Sequence, residues 1–386
     1  MPVRKVWDHA IDLKEDFKAS KAKVYPLSRN ERDEVQEFVE EHLKKGYIRP
    51  SKSQQISPVF FVGKKNRGKQ MVMDYHRLNK QTVKNNYPLP LITELVDNMG
   101  SKQVFTKMDL QWGYNNMRIK EGDEWKVAFT THIGLFEPVV VFFGRTNLLA
   151  TFQAIMNEIL RNMINEGKVA AFVDDVLVGT DTEEGHDEIV EEVLRRLEEN
   201  NLYVKPEKCV WKVKMVPFLG VVMDEGKVEM EEDKVAGVLK WLTLQCVRDM
   251  RKFLGLANYY RHFVKDFARV ALPMNKLTRK EEKWRWEEEQ QKAFQQLKEI
   301  FTSKPMLATP DLDKEFRVEA DASKFAIGGV LSVKCEDELW QPVAFISKAL
   351  NETERKEGKV YMPKDEALRV KIIRLHHDMP MGGHGG

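Results

Sequence analysis

The chain has little of what marks a secreted, membrane-bound or zinc-stabilised protein. Its 386 residues include three cysteines, Cys209, Cys246 and Cys335, whose spacing fits neither a disulfide framework nor a cysteine-based zinc site. No apolar run approaches the roughly 20 residues that a membrane-spanning helix needs, and the first residues do not form a signal peptide. We therefore expect an intracellular protein, in the cytoplasm, the nucleus or both, with no membrane partner.

The sequence also lacks an excess of charge of one sign. There are 62 Lys and Arg residues against 60 Asp and Glu residues, which gives a formal net charge of +2. Because the global field is weak, affinity for nucleic acid has to come from local clusters of cations. The hydrophobic fraction of 42% supplies enough apolar material for the cores of two or three domains.

The most informative segment is residues 172–175, Phe-Val-Asp-Asp, which lies between two apolar runs. This pattern predicts a hairpin with carboxylates at its tip. The adjacent side chains of Asp174 and Asp175 repel each other unless a cation neutralises them, so a functional pair implies a bound divalent metal. Taken alone, such a pair is more often an ordinary turn, because Asp is a common turn residue.

A second acid shifts the balance toward a metal site. Asp109 follows a strand-like run at 104–108, and apolar residues recur at helical spacing across 150–163. A strand, a helix and then a hairpin can bring Asp109, Asp174 and Asp175 together at one edge of an antiparallel sheet. Three carboxylates there suit a pair of Mg²⁺ ions about 3.5–4 Å apart, with Mn²⁺ as an alternative, which activate an attacking hydroxyl and stabilise a leaving pyrophosphate.

Two local patterns precede these acids. Residues 59–62 and 71–73 predict a hairpin whose loop carries cations, among them Lys64 and Lys65. Such a loop is either a clamp for a triphosphate or an ordinary solvated loop, and the downstream aspartates favour the clamp. Further upstream, the sequence from Ser28 to Glu31 predicts a capping box at the start of an amphipathic helix.

Several segments together resemble one known family. Residues 172–175 are similar to the Tyr-x-Asp-Asp signature of reverse transcriptases. Four other segments resemble, in the same order, the Pol polyprotein of Gypsy-type LTR retrotransposons (Metaviridae): residues 75–80, 105–110, 205–209 and 253–261. The likeness extends over about residues 1–355.

The resemblance implies an α+β fold: a right-hand polymerase of fingers, palm and thumb, followed by a truncated RNase H-like domain. The implied divisions are a linker at 1–25, fingers and palm at 26–225, thumb and connection at 226–305, a partial RNase H-like domain at 306–355, and a tail at 356–386 that resembles the start of an integrase zinc-binding region. The implied partners are an RNA or DNA template with its primer, and dNTP. Monomer and homodimer both remain open.

The resemblance also implies roles for individual residues in an RNA-directed DNA polymerase. Asp109, Asp174 and Asp175 would hold Mg²⁺ for the transfer of dNTP onto a primer. The residues implied to bind dNTP are Lys64, Lys65, Gln70, Tyr114 and Lys208, with the Tyr114 ring beneath the sugar. The residues implied to contact nucleic acid are Phe218, Leu219 and Gly220 as a primer grip, and Arg248, Arg251, Lys252 and Arg261 along the backbone.

The C-terminal part of the sequence resembles its family only in part. Asp321 matches the first metal-binding acid of an RNase H-like domain, but the catalytic Glu and Asp expected after it do not follow. We therefore expect RNase H activity to be lost. His377 and His384 resemble half of a zinc site that no cysteine completes, so we expect no zinc there and favour a disordered tail.

Three departures from the family pattern bear on activity. Gln70 replaces an Arg that contacts the triphosphate, and the loss of a charge-assisted bond costs roughly 1.5–3 kcal/mol. Arg145 replaces an apolar residue and is expected to place a charge near template and nucleotide. Leu149 replaces a proline and is expected to remove the rigid turn that starts the helix at Ala150. These departures leave an alternative open: a catalytically impaired retroelement relic that acts at most as a nucleic-acid-binding protein.

Overall fold

The computed structural model describes residues 2–20, 24–63, 69–111, 116–142, 144–224, 226–280, 282–303, 305–311, 313–323, 326–335 and 337–350. These residues form two compact units. The first unit spans Met1–Leu95 and Val104–Val213, and the second spans Val96–Gln103 and the described residues from Lys214 onward. Each unit is described by itself below.

In the described part of the first unit, helices pack with two sheets. The helices are α1 (Arg29–Lys44), α2 (His76–Gln81), α3 (Ile92–Gly100, which continues into the second unit), α4 (Leu148–Ile159), α5 (Arg161–Asn165) and α6 (His186–Glu199). The strands are β1 (Ile48–Pro50), β2 (Ser57–Gly63), β3 (Lys69–Met73), β4 (Val104–Gln111), β5 (Phe129–Thr131), β6 (Gly134–Pro138), β7 (Val169–Phe172), β8 (Asp175–Thr180), β9 (Tyr203–Val204) and β10 (Val210–Val213).

The strands of the first unit pair in two groups. One sheet has the order β1-β6-β5-β2-β3, in which β2 and β5 are parallel. The other has the order β10-β4-β8-β7 and is antiparallel throughout, with β9 also paired to β4. Alternating apolar residues of this second sheet are buried with the apolar faces of α4 and α6 in one core. That packing fixes the position of the β7–β8 hairpin.

The start of α1 confirms the predicted capping box. The backbone N–H of Glu31 donates to Ser28 Oγ, and the backbone N–H of Ser28 donates to the Glu31 carboxylate at 2.9 Å. The two bonds satisfy donors that the first turn of a helix leaves without partners. Further along the helix, Val35 and Val39 are buried in the core.

The start of α4 corrects the expectation for Leu149. The helix begins at Leu148 without a proline, because Asn147 adopts a left-handed conformation with φ of 69° at the N-cap position. The Asn147 side chain donates to Val83 O at 2.7 Å and accepts from Asn85 N–H at 2.9 Å. These bonds hold the chain that enters the helix, so the turn does not depend on a proline.

The second unit contains two further sheets and the remaining helices. The helices are α7 (Glu232–Leu239), α8 (Val247–Tyr259), α9 (Phe267–Val270), α10 (Leu272–Lys276) and α11 (Glu288–Thr302). The strands are β11 (Met215–Phe218), β12 (Val221–Asp224), β13 (Lys227–Met230), β14 (Leu307–Ala308), β15 (Phe316–Ala322), β16 (Ala326–Lys334) and β17 (Trp340–Ala349). The sheet orders are β11-β12-β13-β14 and β15-β16-β17, and every pairing is antiparallel.

Aromatic packing joins the helices of the second unit. The rings of Phe253 on α8 and Phe294 on α11 meet edge to face, with centroids 4.7 Å apart. Trp241 also packs edge to face with Phe253, with a centroid distance of 5.5 Å. Within the described part of the chain, none of the helices has the length and apolarity needed to cross a bilayer.

Candidate active site

The tip of the β7–β8 hairpin is a tight turn held by a buried glutamine. Phe172 and Asp175 pair in register and leave a two-residue turn between them. Val173 in this turn has φ of 55°, a conformation that β-branched residues rarely adopt. Its N–H donates to Gln153 Oε1 at 2.8 Å, while Gln153 Nε2 donates to Ala171 O at 3.0 Å. Gln153 of α4 therefore holds the end of β7 and the first residue of the turn.

The neighbouring strand brings the third predicted acid to this tip. Asp109 on β4 lies directly opposite Asp175 on β8, a relation that places Cβ atoms about 4.5–5.5 Å apart. Leu110 N–H donates to the carbonyl oxygen of Asp174 at 3.3 Å, which links β4 to the turn itself. The three aspartates predicted from the sequence thus lie at one end of the β4-β8-β7 sheet.

Two lysines contact these acids. Lys208 Nζ lies 3.1 Å from Asp109 Oδ2 and 3.3 Å from Asp109 Oδ1. Lys107 Nζ lies 3.5 Å from Asp175 Oδ1. The chain around Lys208 is fixed because the backbone N–H of Lys205 donates to Asp109 O at 2.8 Å. Both carboxylates remain accessible, with exposed side-chain fractions of 30% for Asp109 and 36% for Asp175.

The donor chemistry of this cluster fits a hard divalent cation. Asp109, Asp174 and Asp175 offer only carboxylate and carbonyl oxygens, which are the ligands that Mg²⁺ prefers. Among the described residues, no three His, Cys, Asp or Glu side chains converge closely enough to make a complete metal cluster. The ammonium groups of Lys208 and Lys107 lie against two of the carboxylates instead, so metal binding requires them to be displaced.

Comparisons with known proteins agree with this geometry. The family described as "Reverse transcriptase (RNA-dependent DNA polymerase)" matches residues 62–223, and that described as "RNase H-like domain found in reverse transcriptase" matches residues 286–362. The chain therefore contains a reverse transcriptase domain and an RNase H-like domain. The first match contains all three clustered aspartates. Reverse transcriptases generally use divalent metal ions.

The relatives are transposon polyproteins. The chain is 33% identical over 353 residues to the Transposon Tf2-3 and Tf2-7 polyproteins of Schizosaccharomyces pombe, which are of the Ty3/Gypsy type. The alignment covers 92% of this chain and 26% of each relative, so the chain spans about a quarter of their length. The predicted resemblance to Gypsy-type retrotransposons is confirmed as homology to these polyproteins.

Solved structures confirm the predicted fold. The foamy viral protease-reverse transcriptase in complex with RNA/DNA hybrid superposes with a TM-score of 0.77 at 22% identity, over 94% of this chain and 49% of that chain. The same viral protein in complex with dsDNA gives a TM-score of 0.79 at 21% identity, over 96% and 77%. The α+β architecture of a right-hand polymerase with an RNase H-like domain is thus shown.

The residues predicted to bind dNTP are described only in part. Gln70 on β3 is exposed and pairs with Val62 on β2, near the end of that hairpin where the two strands are connected. Lys64, Lys65 and Tyr114 lie outside the described residues. In the reverse transcriptase domain, Gln70 and Lys208 are therefore the members of this set that the structure describes, and Lys208 contacts Asp109.

The residues predicted to grip the primer form a hairpin turn of the second unit. Phe218 and Val221 pair in register, and Leu219 and Gly220 connect them. Phe218 is completely buried, with an exposed fraction of 0%, so it is a core residue. Leu219 and Gly220 are partly exposed, which leaves these two residues to meet a ligand.

The predicted backbone-binding cations divide into two groups. Arg248, Arg251 and Lys252 are exposed and occupy one face of α8. Arg251 also donates to Thr278 O at 3.2 Å. Arg261 is half-buried, donates to Ser347 O on β17 and lies over an aromatic ring of α9. In this structure its guanidinium is engaged inside the second unit.

The predicted acid of the RNase H-like domain lies at an exposed strand position, and a second carboxylate approaches its cross-strand partner. Asp321 on β15 is exposed and pairs with Gly328 on β16. The Asp266 carboxylate approaches this position so closely that a Cβ on Gly328 would lie 2.6 Å from its Oδ1. Asp266 is in turn paired with Arg269 at 2.8 Å. His377 and His384 of the tail lie outside the described residues.

Arg145 corrects the expectation of a charge facing template and nucleotide. The side chain is buried, and its Nη1 has no hydrogen-bond partner among the described residues. Burial lowers the pKa of Arg145 to about 10, although Tyr75 and Asp123 favour its charged form. Burial and the nearby Arg145 lower the pKa of His9 to about 3. The guanidinium therefore perturbs the core of the reverse transcriptase domain.

Sequence reasoning missed Gln153, Asn147 and Lys107. Gln153 carried a usable signal, because it is a polar residue on the otherwise apolar face of α4 that also contains Phe152 and Met156. The other two had none. The role of Asn147 depends on a loop more than sixty residues earlier, and that of Lys107 on strand register.

Proposed function

We propose that this chain is the reverse transcriptase and RNase H region of a Gypsy-type LTR retrotransposon Pol polyprotein, and that it is an RNA-directed DNA polymerase. The supporting observation is the register that sets Asp109 opposite Asp175 beside the turn containing Asp174, inside the matched reverse transcriptase domain. The domain divisions expected from the sequence, at 25, 225, 305 and 355, are part of the proposal.

The proposed roles follow from the chemistry of the cluster. Asp109, Asp174 and Asp175 would hold Mg²⁺, or Mn²⁺ in its place. When bound, the metal neutralises charge around the triphosphate and increases the acidity of a primer hydroxyl. Gln153 keeps the turn in place, and Lys208 is a cation next to Asp109 that can pair with phosphate after metal displaces it from the carboxylate.

The partners are proposed from the same site. The substrates are dNTP and a primer on an RNA or DNA template, with Lys64, Lys65, Gln70 and Tyr114 around the nucleotide. Exposed Arg248, Arg251 and Lys252 on α8 are of the type that binds phosphate backbones. The structure favours no oligomeric state over another.

A direct test is primer extension on an RNA template with dNTP and Mg²⁺ or Mn²⁺. The wild-type chain should extend the primer, Asp174→Asn should abolish extension, and Asp233→Asn, which changes an exposed acid of α7, should leave it unchanged. Equal background extension by all three proteins would contradict the polymerase proposal. A labelled RNA–DNA hybrid should stay intact in the same mixtures, since the RNase H-like domain is proposed to be inactive.

Buried Arg145 and the lysine-occupied carboxylates favour a second candidate, an impaired relic that only binds nucleic acid. This candidate predicts duplex binding that weakens with salt and survives Asp174→Asn, with no extension at any metal concentration. Measuring binding by fluorescence anisotropy alongside extension separates the two functions.

A further inference from the structure

The end of α8 reaches the turn between β11 and β12. The Tyr259 hydroxyl donates to the carbonyl oxygen of Leu219, and the Tyr260 hydroxyl donates to that of Gly220 at 2.8 Å. Two consecutive tyrosines thus bind the two consecutive carbonyls of a two-residue turn. Both partners belong to the second unit.

The turn has a conformation that needs support. Leu219 has φ of 48° and Gly220 has φ of 86°, so both residues are left-handed. Two-residue hairpin turns of this kind favour Asn-Gly, Asp-Gly or Gly-Gly, and a branched aliphatic residue is unusual at the first position. Hydrogen bonds from the tyrosines to both carbonyls favour this conformation over others, and the backbone N–H of Glu231 also donates to Gly220 O at 3.2 Å.

The support itself is rigid. Tyr260 has an exposed fraction of 1% and packs against Phe263 and Phe301, with ring centroids 6.2 and 6.4 Å away. A Cβ added to Gly220 would lie 2.9 Å from the Tyr260 hydroxyl oxygen, so a larger residue there would displace that hydroxyl. Burial raises the pKa of Tyr260, which keeps its hydroxyl protonated as a donor.

The direction of the turn amide follows from peptide geometry. The peptide between Leu219 and Gly220 is trans and planar, so its N–H points opposite to its carbonyl. Because Tyr259 binds that carbonyl, the N–H of Gly220 is directed away from α8. A backbone N–H that points outward at a turn can donate a hydrogen bond to a phosphate oxygen.

The same helix carries the charge that such a ligand requires. Arg251 and Lys252 are exposed on α8 about two turns before Tyr259. Cations on an exposed helix face attract a phosphate backbone without reading its sequence. The cations and the supported turn therefore suit the same kind of ligand, a nucleic acid strand.

We propose that Tyr259 and Tyr260 are positioning residues, which hold the Leu219–Gly220 turn so that the Gly220 amide meets a phosphate of the primer strand. This inference rests on the proposed polymerase function. It assigns the tyrosines no contact with the reacting atoms. Their hydroxyls act only through the turn.

The test is crosslinking in the absence of metal and dNTP. A primer with 4-thiothymidine at its 3′ end is annealed to an RNA template, bound to the full chain and irradiated, and the crosslinked peptide is identified by mass spectrometry. The wild-type chain should crosslink at residues 218–221. The Tyr259→Phe/Tyr260→Phe variant should lose about fivefold to thirtyfold of that yield, the range that two lost hydrogen bonds are worth, while total duplex binding changes less than twofold.

Controls separate positioning from general damage. Phenylalanine keeps the ring packing of both tyrosines, so the variant should fold. Gly220→Ala disturbs the same contact from the other side and should lower the yield similarly. Tyr25→Phe removes a tyrosine hydroxyl bond to Asp74 in the first unit and should leave the yield unchanged.

Each outcome decides something. An unchanged yield in the folded double variant overturns the inference, and so does a wild-type crosslink that maps elsewhere. Because the assay uses no catalysis, it also stands apart from the polymerase proposal. Primer extension that persists in Asp174→Asn would contradict the proposed polymerase function but not the positioning role. Primer extension by the wild-type chain with no crosslink at the turn would contradict only the positioning role.

Discussion

The ammonium nitrogen of Lys208 lies 3.1 Å from Oδ2 and 3.3 Å from Oδ1 of Asp109. The lysine side chain is 55% exposed and that of Asp109 is 30% exposed, so water screens the pair. Such pairs contribute about 0–1 kcal/mol. The contact is weak enough for a divalent cation to displace, yet it competes with metal for the same oxygens.

Lys208→Met should therefore lower the Mg²⁺ concentration that half-saturates primer extension, by up to about fivefold, the factor that corresponds to 1 kcal/mol. The measurement is extension rate against Mg²⁺ concentration. Lys212→Met is the matched control, because Lys212 pairs with Asp187 at 2.9 Å outside the cluster. A higher Mg²⁺ requirement in Lys208→Met would show that the lysine assists metal binding rather than competing with it.

Gln153→Leu should destabilise the hairpin tip. The substitution leaves the buried N–H of Val173 and the carbonyl of Ala171 without their partner, which costs about 1–3 kcal/mol. We expect the free energy of unfolding in urea to fall by this amount and extension to fall with it. Asn157→Ala is the control: it removes a neighbour that binds Gln153 at 2.8 Å but keeps both contacts to the tip. A loss as large in the control would refute the direct role of Gln153.

The features that could be predicted from the sequence depend on residues that are close together in the chain. The capping box at Ser28 depends on residues three apart, and the Asp174–Asp175 tip depends on apolar runs on either side of it. Asp109 was predicted to join them because a strand and a helix of ordinary length intervene. The structure puts all three aspartates at one sheet end.

What the sequence could not predict depends on contacts between distant residues. Lys208 and Asp109 are 99 residues apart, and Tyr260 and Gly220 are 40 apart. No periodicity encodes such pairs, because side-chain partners are set by how the elements pack. Arg145 was misjudged for the same reason: its place in the chain gave no measure of its burial.

Gln70→Arg should improve the use of dNTP. Gln70 is exposed near the end of the β2–β3 hairpin, and an Arg there would regain a charge-assisted bond to triphosphate worth roughly 1.5–3 kcal/mol. We expect KM for dNTP to fall on the order of tenfold to a hundredfold. Gln103→Arg adds the same charge at another exposed site. If both variants gain equally, the effect is one of general charge, and Gln70 does not face the nucleotide.

Arg145→Leu should stabilise the reverse transcriptase domain. The guanidinium is buried, and its Nη1 has no partner among the described residues. Replacing buried charged groups by well-packed apolar side chains is often neutral or stabilising, by up to about 4 kcal/mol. Urea unfolding should show this gain. Arg161→Leu, which changes an exposed arginine of α5, should stay within about 0.5 kcal/mol of wild type. A destabilised Arg145→Leu would mean that the guanidinium has a favourable role in the core.

His186 makes stability depend on pH. Its Nε2 lies 2.8 Å from Thr106 Oγ1, and its Nδ1 lies 2.8 Å from Thr180 Oγ1. The Thr180 hydroxyl donates to Thr182 O, so it accepts from Nδ1–H, while the Thr106 hydroxyl, which accepts from Lys212 N–H, donates to Nε2. The bond to Nε2 requires a neutral ring, because a protonated Nε2 cannot accept a hydrogen bond, and burial also lowers the pKa of His186.

Because the folded pKa lies below the unfolded value of 6.5, the stabilisation is complete above pH 6.5 and is lost as the pH falls below it. The free energy of unfolding should therefore decrease between pH 7.5 and pH 5. His186→Gln should reduce that slope without abolishing it, since burial also lowers the pKa values of His9 and His42. Urea unfolding at both pH values measures the slope. His132→Gln changes an exposed histidine and should keep the wild-type dependence of unfolding free energy on pH. If His186→Gln also keeps the wild-type dependence, the acid sensitivity comes from other groups.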